Sequence, residues 1–182
     1  MTLLNRASNG HVASMVALWR SLSVLGPTPR DEFLAICSHR LPSASPLSIT
    51  ISTWRGLGFL EAGQEELLAI APQFASIAQS DIDGLRTAIL GLLMKPENVP
   101  ALGGVEGDEA ATRASDFVRV AAFSLAQDPY ELASVTSDNA ALEKGRGQGL
   151  GELWQGTGRW SSFQEWAYFC GLGMPTPRGF LM

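Results

Sequence analysis

Gly26-Pro27 and Leu41-Pro42 divide the first third of the chain into three short amphipathic pieces, and this punctuation constrains the fold more than any other feature. In His11–Leu25 the residues Val12, Met15, Val16, Trp19, Leu22 and Leu25 recur at spacings of three and four, which predicts a helix buried along one side. Gly26-Pro27 stops it. Thr28 then offers an N-cap oxygen, Pro29 fits the first helical position, and Asp31 places a carboxylate in the first turn. Phe33, Leu34, Ile36 and Cys37 supply the buried side of this second helix. It ends before Leu41-Pro42, because the residue ahead of a proline resists helical geometry. Ser45-Pro46 repeats the start signal, and Ile49, Ile51, Trp54 and Leu57 form a third apolar set that stops at Gly58.

Two short apolar runs follow, Phe59-Leu60 and Leu67-Leu68-Ala69-Ile70, on either side of Ala62-Gly63-Gln64. They read as two strands around a turn in which Gly63 takes a positive φ. A helix from Glu65 to Ala71 competes, since Glu, Leu and Ala favour one. Three short helices sharing a core need a lid, and that argues for the hairpin. Three helices and a hairpin, in that order, are the plan of a winged helix-turn-helix. The expected fold class is therefore mostly α: a winged-helix domain over residues 1–72, closed by Pro72, then a helical domain over 73–182. Trp54 and Phe59 are expected to be buried against Val16, Trp19 and Phe33.

Beyond Pro72 a short helix is predicted over Gln73–Ala78. Asp81 can cap a longer one that carries Ile82, Leu85, Ile89, Leu92 and Leu93. The stretch from Lys95-Pro96 to Gly103-Gly104 is rich in breakers and reads as a loop. Asp108–Gln127 is predicted helical, with Phe117, Val120, Ala121, Ser124 and Leu125 along one face. Six glycines make Glu143–Gly158 a loop or a pair of interrupted turns. A capping box at Ser161 with Gln164, or Ser162 with Glu165, precedes a helix Phe163–Cys170 that stops at Gly171. The ending from Met174 to Met182 leaves apolar residues without an evident element.

Hydrophobic residues make up 46% of the chain and charged ones 17%, a balance that suits a folded globular protein. Cys37 and Cys170 lie far apart, each in an apolar pattern, and read as buried free thiols of a reducing cytosol, with a disulfide as the alternative. No apolar run approaches the ~20 residues needed to span a bilayer, and no secretion signal is evident at Met1-Thr2-Leu3-Leu4-Asn5-Arg6. The expected location is cytoplasmic, without membrane contact. Up to Pro72, Arg6, Arg20, Arg30, Arg40 and Arg55 balance Asp31, Glu32, Glu61, Glu65 and Glu66, so the remainder carries the whole net charge of −5. Nucleic-acid binding draws much of its affinity from Lys and Arg that neutralise phosphates. Without a basic tract, tight DNA binding by the chain alone is not expected.

A winged helix usually reads DNA through its third helix. Here that helix offers Ser48, Thr50, Ser52, Thr53 and Arg55, whose hydroxyls and guanidinium suit phosphates or base edges. The wing offers Glu61, Glu65 and Glu66, which repel phosphate. His11 and His39 have no ligand cluster around them, so no metal is expected. The glycines of Lys144-Gly145-Arg146-Gly147-Gln148-Gly149-Leu150-Gly151 do not match a phosphate loop. No catalytic residue and no cofactor are assigned. Trp154, Trp160, Phe163, Trp166, Tyr168 and Phe169 crowd near the end and read as a core or as a partner interface. Trp160, Trp166, Phe169, Phe180 and Leu181 are the interface candidates, and residues 10–71 are expected to fold without them.

Three stretches resemble one known family. They are Leu25–Glu32 with Thr53–Leu60, then Asp116-Phe117-Val118-Arg119 leading to Ala126-Gln127-Asp128-Pro129, and Arg159-Trp160 with Phe163 and Trp166–Gly173. In this the chain resembles the DpdG-like accessory proteins of bacterial genomic islands that insert 7-deazaguanine into DNA and restrict unmodified DNA. Members of that family run longer. The resemblance implies an anti-phage or DNA-restriction setting and supplies no active residue. The expected function is thus a non-enzymatic subunit of a bacterial defence or DNA-processing complex, a winged-helix scaffold or recruitment module with other protein subunits as partners and DNA contacted within the assembly. The alternative is a winged-helix DNA-binding protein or transcriptional regulator.

Overall fold

A computed structural model describes residues 3–4, 11–38, 45–61, 66–99, 114–126, 159–176 and 179–181, and these are mostly helical with short antiparallel strand pairs. The first three helices are α1 (Val12–Leu25), α2 (Arg30–Ser38) and α3 (Ser45–Leu57). Strand β1 (Thr28–Pro29) pairs antiparallel with β2 (Leu67–Leu68), Thr28 opposite Leu68 and Pro29 opposite Leu67. Leu60 bridges Ile70, also antiparallel, so the segment after α3 does return along itself. Residues 67–70 are extended rather than helical because Leu68 fills the core opposite Thr28 while Ile70 bridges Leu60 on the other side. The turn expected at Ala62-Gly63-Gln64 lies outside the described residues.

Thr28 does not act as the N-cap acceptor. Its hydroxyl donates to the Gly26 carbonyl at 2.9 Å, and Thr28-Pro29 is spent on the strand pair. One N–H that a cap would have satisfied, that of Arg30, donates instead to the Glu66 carbonyl at 2.7 Å. Pro29 has no N–H to lose and is tolerated in so short an edge. The end of α3 does follow its sequence signal. Gly58 takes φ 89°, the Phe59 N–H reaches the Trp54 carbonyl at 2.9 Å, and the Gly58 N–H reaches that of Arg55 at 3.1 Å. That is the paired closure a left-handed glycine permits at a helix end.

Helix α4 (Ile82–Leu93) starts as expected, with the Asp81 carboxylate accepting from the Gly84 N–H at 2.8 Å. The helix expected over Gln73–Ala78 is only a 3₁₀ turn, Pro72–Phe74, and a second such turn forms at Pro96–Asn98. Helix α5 (Ser115–Leu125) buries Phe117, Val120, Ala121 and Ser124. Leu125 is 65% exposed, which corrects its place on that face. Residues 108–113 and 127, and the glycine-rich stretch 143–158, lie outside the described residues.

Helix α6 (Arg159–Phe169) begins ahead of both proposed capping boxes, so Ser161 and Ser162 are internal to it. The early start puts Trp160 in line with Phe163, Trp166, Ala167 and Cys170, a stripe at spacings of three and four that is buried throughout. Gly171 at φ 74° ends it. The tail is not without structure. Strands β3 (Met174–Thr176) and β4 (Gly179–Leu181) form an antiparallel hairpin that returns Phe180 to the core.

One hydrophobic cluster draws on all six of these helices, with Leu68 of β2 and Phe180 of β4. Trp54 and Phe59 are fully buried, as expected, and their rings meet at 5.9 Å; each also meets a ring from beyond position 72, Trp166 at 5.4 Å from Trp54 and Phe74 at 5.3 Å from Phe59. The buried Asn98 side chain donates to the carbonyls of Leu57 and Leu92, both at 2.9 Å, stitching the ends of α3 and α4 together. Its replacement by alanine leaves buried acceptors short of donors, and a loss of about 1–3 kcal/mol is expected. An unchanged denaturation midpoint for Asn98→Ala would show those carbonyls to be satisfied by other means. At the other end, Leu3 and Leu4 are fully buried, and the Leu4 N–H donates to the buried Asp116 carboxylate at 2.9 Å.

Candidate functional site

The stripe Leu47, Thr50, Ile51, Trp54 and Leu57 turns one side of α3 into the core and decides which of its polar residues remain outside. Thr50 is only 1% exposed and so is not on the contact face. Ser52 is exposed, its hydroxyl donating to the Ser48 carbonyl one turn back at 3.2 Å. Ser48 and Thr53 are half-buried. Ser48 accepts a hydrogen bond from the Arg30 Nη2 at 2.8 Å. Arg55 is half-buried too, and its Nη2 donates to the Leu67 carbonyl at 3.0 Å. Both arginines at this face are thus tied to the fold: one braces α2 against α3, the other braces α3 against β2. Glu61 and Glu66 flank the same strands, while Glu65 lies outside the described residues.

The aromatic residues expected at a partner interface lie in the chain's own core. Trp160 and Phe180 are each 2% exposed, Trp166 not at all, and Phe169 is 7% exposed. Trp160 stacks on Phe163 at 5.3 Å and meets Phe180 edge-on at 6.4 Å. Phe169 packs edge-on to Trp166 and carries the Arg86 guanidinium 5.8 Å from its ring centre. These rings pack against one another rather than facing solvent. Leu181 pairs with Met174 through the backbone of the terminal hairpin. The apolar side chains that do face solvent include Val24, Leu25, Ile36 and Tyr168. Val24 and Leu25 are legible only in part from sequence: Leu25 continues the buried spacing of α1, yet it lies where the helix has run past its core.

Beside Val24 and Leu25 lies an open groove of about 570 Å³, between the end of α1, residues 67–70 and the turn 72–79. No sequence signal marked it, because its walls come from residues far apart in the chain, 22–27 and 61–79. Among the described residues no three His, Cys, Asp or Glu side chains gather as a metal site would require. His11 is exposed, and His39 lies outside the described residues. Cys37 and Cys170 are free thiols, the first half-buried and the second buried. Burial pushes the Cys170 thiol up to about 12, with Arg86 offsetting part of the rise, and burial also raises Cys37. The thiolate is the reactive form. In mildly alkaline buffer an alkylating reagent is expected to label Cys37 well before Cys170, as read by mass spectrometry. Equal labelling rates would show that α6 opens readily.

Among the described residues no helix is long and apolar enough to cross a membrane. No curated protein and no solved structure matches the chain. A family model described as DpdG-like matches residues 1–181, almost from end to end. The chain therefore belongs to the DpdG-like family.

Proposed function

We propose that this protein is a non-enzymatic subunit of a bacterial defence or DNA-processing complex, in which residues 1–72 form a winged helix used to dock other protein subunits. Membership of the DpdG-like family associates the chain with a DNA-modification system. Three helices followed by paired strands, with β1 between α1 and α2 joining β2, support the winged-helix reading. The observation that carries the docking role is the fate of the two arginines at the third helix. Each commits a guanidinium N–H to the fold, Arg30 to Ser48 and Arg55 to the Leu67 carbonyl. The strands beside them carry the carboxylates of Glu61 and Glu66. Phosphate neutralisation needs the opposite charge.

A mobility-shift titration of the full chain with duplex DNA at low salt tests this. Binding weaker than about 1 µM with a shallow salt dependence is the expected result. A tight shift, lost on Ser52→Asp and on Arg55→Glu, would instead assign the protein to DNA reading through α3. Ser52→Asp keeps that outcome decisive, since Ser52 is exposed and its replacement leaves the core intact.

A further inference from the structure

We propose that the groove between the end of α1, the strand segment 67–70 and the turn 72–79 binds an extended segment of a partner protein that sets a lysine or arginine beside an apolar side chain. This rests on the docking role above and gives that role a location and a chemistry. The groove measures about 570 Å³, within the range of about 300–1,000 Å³ that specific ligand sites occupy. Its space comes from small residues, Gly26, Ala69 and Ala78 among them, and its apolar wall from Leu22, Leu67 and Ile77.

Charge selects the occupant. Among the groove's lining residues Glu61 is the sole ionisable one. It is half-buried, and its backbone is fixed by the N–H that donates to the Ala69 carbonyl at 3.0 Å. Its carboxylate has no hydrogen-bond or ion-pair partner among the described residues. A carboxylate without a partner beside an apolar wall favours a cation that arrives with its own apolar flank. Nucleic acid is disfavoured there for the same reason.

The test uses a displayed library of random octapeptides selected on the immobilised full chain. Enriched peptides are then titrated by fluorescence anisotropy against the wild type, Glu61→Lys and Ala78→Trp. Enrichment of Lys or Arg next to Leu, Ile or Val is expected. Glu61→Lys should weaken such a peptide at least about tenfold, and exchanging the peptide's cation for Glu should restore binding to that variant. Ala78→Trp, which fills the groove, should abolish binding. Should Ala78→Trp fail to fold, the charge exchange at Glu61 decides alone. Peptides without a cation, peptides that bind both variants like the wild type, or no enrichment above background each overturn the site. None of these touches the docking role itself, which falls only if the bare chain binds duplex DNA tightly.

Discussion

Replacing Trp54 with alanine is expected to lower the free energy of unfolding by about 3–5 kcal/mol, the usual cost of a large aromatic cavity. Trp54 has no exposed surface. Its ring meets Phe59 edge-on at 5.9 Å and Trp166 at 5.4 Å, so the cavity opens between α3 and α6. Those neighbours cannot close the gap easily. Phe59 is held by the Ala71 N–H on its own carbonyl at 2.9 Å, and Trp166 by the edge contact with Phe169. The whole molecule should feel the loss as one transition, since the ring joins elements on both sides of position 72. Urea denaturation followed by circular dichroism gives the number. A midpoint equal to that of the wild type would place Trp54 outside the core and refute the packing.

Removing residues 159–182 is expected to abolish cooperative unfolding of everything that remains, residues 10–71 included. Sequence alone suggested that the first segment would fold without the last. The core argues otherwise, because Trp54 loses Trp166 while α5 loses Phe163, which lies 5.7 Å from Phe117. The deletion strips Trp160, Phe163, Trp166, Phe169 and Phe180 from one continuous cluster. Each is a loss of the size argued for Trp54, and two of them approach the about 5–15 kcal/mol that stabilises an ordinary domain. Thermal scans of the truncated chain decide it. A sharp transition retained after truncation would establish residues 10–71 as an independent unit.

Local chemistry determined several of the helix ends and much of the inner faces. A left-handed glycine stops a helix wherever it stands, so Gly58 and Gly171 could be read without a neighbour in view. Asp81 caps α4 by a contact that spans three residues, and the stripes of α1 and α3 follow from a period of 3.6. Membership of the DpdG-like family was likewise visible in short strings of residues.

What the sequence could not decide were matters settled by residues far apart in the chain. Thr28 has the side chain of an N-cap, and only the presence of Leu68 opposite it made it a strand. Trp160, Trp166 and Phe180 have the composition of an interface, and burial against one another and against Trp54 made them core. Arg30 and Arg55 have the charge to meet phosphate, and Ser48 and the Leu67 carbonyl took a donor from each. The groove beside Glu61 has no signal in any window, since an empty space belongs to no residue. Secondary structure answers to neighbours three or four positions away. Exposure, and with it function, answers to whatever the rest of the chain brings alongside.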